Sequence, residues 1–246
     1  DPPLLFTLST VNMATSGEKM RLYHARGFMS SRCLWLIEEM GISEDVELVP
    51  YNPFDVSDQQ KQEYQSTRHP HGLLPALALP DGHVMWESVA INLYLAERYQ
   101  KLVPPPEERP EYYTWSVYAC TTLDRCVKPF VLYQSYSNVA DGRPTDDVIQ
   151  MARQTWHEFA KRFQSTIAGK EFICGDSITT ADINVAYILF WFYNTEPTLF
   201  SDYPDVQAYL DRMRMRPAFQ EAVLRDDEDL AKLMADSKYK PRNRIA

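Results

Sequence analysis

Three consecutive prolines, Pro104-Pro105-Pro106, divide this sequence into two parts of different character. Such a run cannot continue a helix, and it stiffens the connection that it forms. Upstream, residues 20–23 read as a strand. Residues 30–40 read as a helix closed by Gly41, with Cys33, Leu34, Leu36, Ile37 and Met40 at helical spacing. A second strand over 46–51 and a polar surface helix over 58–67 follow. Residues 76–79 and 83–86 then form a hairpin around Pro80-Asp81-Gly82, and a further helix runs on from Glu87-Ser88. Downstream of the prolines no strand pattern survives, and residues 111–132, 146–168, 180–194 and 204–214 each carry helical periodicity. The chain therefore reads as an α/β domain with a mixed sheet over 20–102, a linker over 103–110 and an all-α domain over 111–224. Residues 1–19 are an N-terminal extension and 225–246 a tail.

The 246 residues suffice for a sizeable core, and 45% hydrophobic content is that of a globular protein. A net charge of −9 with no compensating basic run argues against nucleic-acid backbone binding. No apolar stretch approaches the ~18–20 residues of a membrane span. Leu4–Val11 is apolar but lacks a preceding basic region, so it makes a poor signal peptide. Met13 and Met20 are candidate original starts, and a tail docked on the body is the competing reading. Cys33, Cys120, Cys126 and Cys174 show neither metal-ligand nor CxxC spacing. They read as free thiols in a reducing, cytoplasmic setting, with no metal site.

The segment 72–99, GLLPALALPDGHVMWESVAINLYLAERY, carries the densest local information. A cis Leu74-Pro75 bond would turn the backbone of Leu74 outward, free to pair with an extended peptide. At the other end of the hairpin, Ser88 is a candidate N-cap of the following helix. A helix N-terminus presents unpaired N–H groups and partial positive charge, and so holds a carboxylate.

Gly72-Leu73-Leu74-Pro75-Ala76-Leu77 followed by Glu87-Ser88 resembles the cytosolic glutathione transferase superfamily, in the thioredoxin-like half where glutathione binds. Two further stretches match that family. Residues 32–41 resemble the first helix of many bacterial and fungal members. Ile178-Thr179-Thr180-Ala181-Asp182-Ile183 resembles its buried capping box, in which Asp182 reaches back to Thr179 and Ile178 staples to Ile183. The resemblance implies a thioredoxin-like domain followed by an all-α domain. It also implies that the backbone of Leu74, beside Pro75, pairs with the cysteinyl part of glutathione, while Glu87 and Ser88 hold the amine and carboxylate of its γ-glutamyl end. A homodimer is implied, with glutathione as co-substrate and a small, apolar or aromatic electrophile as the other substrate. Detoxification is the family's usual role. No nucleic-acid or membrane partner is expected.

The thiol-activating loop departs from the family pattern. Counting back from Gly41, Gly27 and Met29 fall at the positions of the usual catalytic side chains, and neither activates a thiol. Ser30 is the chosen donor to the sulfur, with an ordinary helix cap as its alternative role; Ser31, Tyr23, His24 and the loop backbone N–H groups are the other donors. Leu73 replaces a residue that helps bind glutathione in related proteins, which leaves Arg26, His71 or Arg32 to neutralise the glycyl carboxylate. The electrophile pocket is expected between the domains, with Phe28 and Met29 on one wall. Trp115 and Tyr118, with Tyr112 and Cys120, stand on the other, and Trp191, Phe192 and Tyr193 are candidates to close it. A glutathione-dependent isomerase or reductase, or a non-catalytic binding module of the same fold, are the alternative functions.

Overall fold

The computed structural model describes residues 18–135 and 144–224. The expected extension, up to residue 17, and the expected tail lie outside the described residues. Four strands, β1 (Met20–His24), β2 (Val46–Pro50), β3 (Ala76–Ala78) and β4 (Val84–Trp86), form one mixed sheet in the order β2-β1-β3-β4. β2 runs parallel to β1, β3 antiparallel to β1, and β4 antiparallel to β3. Leu22 sits between Leu48 and Leu77 in this register. Met20 and Leu22 are buried while Arg21 is exposed, the two-residue alternation of a strand with one face on the core.

Helices α1 (Ser30–Met40), α2 (Asp58–Thr67) and α3 (Ser88–Tyr99) complete this domain. α1 is buried from Ser30 to Ile37, and Gly41 ends it with φ 63°, its N–H on the carbonyls of Ile37 and Glu38. α2 is polar and exposed except for Tyr64, and Ser57 and Gln60 close a capping box at its start.

Beyond the prolines come α4 (Arg109–Tyr118), α5 (Asp124–Ser135), α6 (Asp146–Ile167), α7 (Thr180–Thr195), α8 (Pro204–Arg214) and the short α9 (Pro217–Phe219). The single helix expected over 111–132 is instead two helices joined by a π-turn at Ala119–Leu123. α7 is the axis of this domain, buried along almost its whole length. Its first turn is fixed by Asp182, which accepts from the N–H groups of Ile173 and Thr179, each at 2.8 Å. The expected staple partners are placed accordingly: Ile183 is fully buried and Ile178 packs on the core.

The two domains share one hydrophobic core through α1. Trp35 meets Phe219 edge-on at 4.9 Å, and the Glu39 carboxylate accepts from Arg216 Nε and Nη2. The Asn92 side chain on α3 donates to that of Asn184 on α7 at 2.9 Å. This docking places the N-terminal end of α1 against α7, where the expected site lies.

Candidate functional site

Two local structures converge at one edge of the α/β domain. The first is the turn between α2 and β3, in which Leu74-Pro75 is cis. Gly72 sits at φ +66°, a left-handed conformation that favours glycine. The turn is anchored from α2: the Tyr64 hydroxyl donates to the Leu73 carbonyl at 2.9 Å. The Leu73 side chain points away and is exposed.

The second structure is the entry to α3. Ser88 is the first helical residue and Glu87 the cap, so the expected N-cap role of Ser88 is displaced by one position. The reason lies across the core. Ser88 is buried, and its hydroxyl accepts from Arg32 Nε at 2.9 Å and from a second Arg32 nitrogen. Glu87 is exposed and stands at φ 69°, ψ 105°, a conformation costly for any residue with a Cβ. That strain is held by the helix it opens, since Glu87 O accepts the first intrahelical bond, from Ile91 N, at 2.9 Å.

Arg32 therefore does not serve the end of the site expected for it. It is only 4% exposed, stands behind Ser88, and its Nη1 is buried without a hydrogen-bond partner. Burial lowers its pKa, and the carboxylate of Asp124 is among the groups that act against that shift. Cys33 next to it is inert as a nucleophile: its thiol contacts the Ser88 carbonyl at 3.6 Å, and burial pushes it up to about 12.

The loop from Ala25 to Met29 encloses Ser30. That residue is 0% exposed. Its hydroxyl donates to the Ala25 carbonyl at 3.1 Å and accepts the Ala25 N–H at 3.3 Å, so its proton is spent inside the loop. His24 Nδ1 lies 3.0 Å from the same oxygen and completes the cluster. Burial, aided by the charge of Arg26, lowers the His24 pKa to about 4, so its ring is neutral near neutrality. Ser30 is not the helix cap either: Met29 holds that position and contributes no side-chain bond. The other candidate hydroxyls also have partners. Tyr23 accepts from Arg68 Nε at 2.5 Å on the opposite side of the sheet, and Ser31 is buried by Tyr187. Tyr187 of α7 in turn donates to the Phe28 carbonyl at 2.7 Å, pinning the loop across the domain boundary.

Comparison with known proteins decides what this arrangement belongs to. Residues 18–97 match the family model of the glutathione S-transferase N-terminal domain, and 146–212 that of the glutathione S-transferase C-terminal domain. Glutathione S-transferase F14 of Arabidopsis thaliana is 26% identical over 221 residues, covering 84% of this chain and 83% of its own. GstA of Escherichia coli O157:H7 is 26% identical over 208 residues, covering 83% and 97%. The chain belongs to the glutathione transferase superfamily. Its fold agrees: the solved apo glutathione S-transferase III superposes with a TM-score of 0.71 at 25% identity, over 85% of this chain and 97% of that one.

Within this glutathione transferase fold the expected pocket walls separate. Phe28 is half-buried, 5.9 Å from the ring of Phe54, and Met29 packs on the core beside it. Trp115 and Tyr118 turn away from the domain boundary into the α-domain. Trp115 is buried 5.1 Å from Phe163, and Tyr118 stacks on Phe159 at 6.0 Å. Tyr112 is fully buried on the α7 side. The face of α4 that remains carries Val117, with Cys120 in the π-turn, and the Cys120 thiol feels the charges of Arg32 and Glu87. Helical spacing shows that one face of α4 is apolar; it does not show whether that face meets α6 or the cleft. Among the described residues no group of three His, Cys, Asp or Glu side chains could hold a metal ion, and no helix is long and apolar enough to cross a membrane.

Proposed function

We propose that this protein is a glutathione transferase that binds the γ-glutamyl end of glutathione at Glu87 and Ser88 and adds the thiolate to a small apolar or aromatic electrophile. The observation that carries the reading is the entry to α3: an exposed carboxylate beside a helix N-terminus whose first hydroxyl is backed by a buried guanidinium. A γ-glutamyl group presents an ammonium and a carboxylate on one carbon; Glu87 offers a carboxylate to the first, and the Ser88 hydroxyl with the helix N-terminus offers donors to the second. The backbone of Leu74 at the cis-Pro75 turn pairs with the cysteinyl unit. The sulfur then lies toward the N-terminus of α1. There the backbone N–H groups and the helix dipole favour the thiolate, because the hydroxyls of Ser30 and Ser31 are buried and engaged. A free thiol, with a pKa of about 8.5, is only a few per cent ionised at pH 7, so moderate stabilisation is sufficient. The thiolate attacks the electrophilic carbon. In an addition the π electron pair of the attacked bond moves to the atom at its other end, which takes up a proton; in a displacement the leaving group carries the pair away.

Phe28, Met29, Val117 and Cys120 line the electrophile side. The test is retention on immobilised glutathione, followed by conjugation assays with an aromatic halide, an isothiocyanate and a hydroperoxide. Retention with turnover of at least one carbon electrophile is expected. Retention without turnover would make the protein a binding module, and turnover of the hydroperoxide alone a reductase.

The active protein is proposed to be a homodimer. Phe54, Leu73 and Trp86 are large apolar side chains left exposed, and a second copy of the chain would cover them. Light scattering at micromolar concentration is expected to report twice the chain mass, and a monomer would contradict the proposal.

A further inference from the structure

Between the two recognition elements stands a buried histidine that the reading above does not use. His69 follows α2, is 4% exposed, and opens the turn that ends in Leu74-Pro75. Its Nδ1 accepts the N–H of His71 at 3.1 Å, and its carbonyl accepts the N–H of Gly72 at 2.8 Å. The ring thus closes a side-chain-to-backbone turn of the kind that Asn and Asp form two residues along the chain. Because Nδ1 accepts, the ring is neutral and its proton is on Nε2. The ring also lies near the second recognition element: the Trp86 ring is 5.9 Å away, centre to centre, and the carboxylate of Glu87 acts on it electrostatically.

We infer that His69 is a positioning residue of the glutathione site, its neutral ring joining the 72–75 turn to Glu87, and that its protonation and glutathione binding oppose each other. The inference rests on the proposed binding of the γ-glutamyl amine at Glu87. Two effects act in the same direction. A proton on Nδ1 removes the acceptor that the His71 N–H requires, which loosens the turn carrying Leu74. An imidazolium also competes with the ligand's ammonium for the single carboxylate of Glu87, and such coupling is reciprocal. The charged and titratable groups that act on the ring are Glu87, which favours protonation, and His71, which opposes it; Trp86 is neutral. Burial is the largest influence and holds the His69 pKa below the ordinary 6.5. The closed turn binds fewer protons than the open one in that range. Its contribution is therefore complete above pH 6.5 and is lost as the pH falls through the lowered value.

The experiment is calorimetric binding of S-methylglutathione, which has no ionisable thiol, at several values between about pH 5 and 8. The wild type is expected to lose about fivefold or more in affinity on acidification. His69→Asn, whose side-chain oxygen accepts the same N–H, should keep the neutral-pH affinity and lose the pH dependence. His69→Leu should bind weakly at every pH, and His71→Asn should keep a pH dependence, moved to higher pH because a charge that opposes protonation of His69 is removed. A flat wild-type profile, or a slope that persists in His69→Asn or vanishes in His71→Asn, overturns the proposal. Absence of binding at every pH overturns both the glutathione reading and the coupling built on it. Nuclear magnetic resonance of the His69 ring separates the two failures without a ligand. An Nε2–H tautomer and a His71 amide that exchanges faster once the ring is protonated keep the turn assignment, and an Nδ1–H tautomer refutes it.

Discussion

Replacing Asp182 with alanine is expected to lower the unfolding free energy by about 3–5 kcal/mol, the largest stability effect of any single substitution considered. The carboxylate is fully buried and satisfies four donors. One oxygen takes the Ile173 N–H at 2.8 Å and the Tyr209 hydroxyl at 3.0 Å. The other takes the Thr179 N–H at 2.8 Å and its hydroxyl at 2.9 Å. Alanine strands two backbone donors away from water, and each unmet buried donor costs about 1–3 kcal/mol. The effect reaches beyond α7, because this helix carries Tyr187, whose hydroxyl holds the loop before α1 at Phe28. Urea unfolding measures it: the midpoint should fall sharply while the slope stays unchanged. A loss below about 1 kcal/mol, the value of an ordinary cap, would show that the buried network is not what holds the domain.

Ser88→Ala is expected to weaken glutathione binding roughly 10- to 100-fold, which corresponds to the ~1.5–3 kcal/mol of a hydrogen bond to a charged group. The Ser88 oxygen already accepts from Arg32, so its proton remains to be donated, and the guanidinium behind it strengthens that donation. A ligand carboxylate at the start of α3 would receive this bond together with the helix N–H groups. Because the γ-glutamyl end is remote from the sulfur, the loss should appear in KM while kcat at saturating glutathione is preserved. The variant also leaves Arg32 Nε without its acceptor, so a stability loss of about 1–3 kcal/mol should accompany it. An affinity within twofold of wild type would remove Ser88 from the site.

What the sequence made legible is what local chemistry dictates. The Leu74-Pro75 turn, the hairpin and the Thr179–Asp182 box are each specified by residues within a few positions of one another, and each stands where it was expected. The misplacements share another cause. Ser30 has the composition of a cap or a donor, but its hydroxyl is claimed by Ala25 and His24, which the strand end brings back to it. Ser88 was displaced from the cap by Arg32, 56 positions away in the chain. Trp115 and Tyr118 lie on an apolar stripe whose partner, α6, is chosen by packing alone. A positive φ at Glu87 has no signature in a non-glycine residue. The acceptor role of His69 was readable in principle, since His69-Pro70-His71-Gly72 spaces a ring nitrogen and a backbone N–H as Asx turns do.

The most direct test of the central claim is a crystal structure of the protein with glutathione bound. The account predicts the γ-glutamyl carboxylate within hydrogen-bonding distance of the Ser88 hydroxyl and its amine on Glu87. The cysteinyl backbone should pair with Leu74, and the sulfur should lie at the N-terminal end of α1, with a backbone N–H rather than the Ser30 hydroxyl as its donor. Glutathione bound in the opposite direction, with its glycyl carboxylate at Ser88, or with its sulfur away from the start of α1, would contradict it.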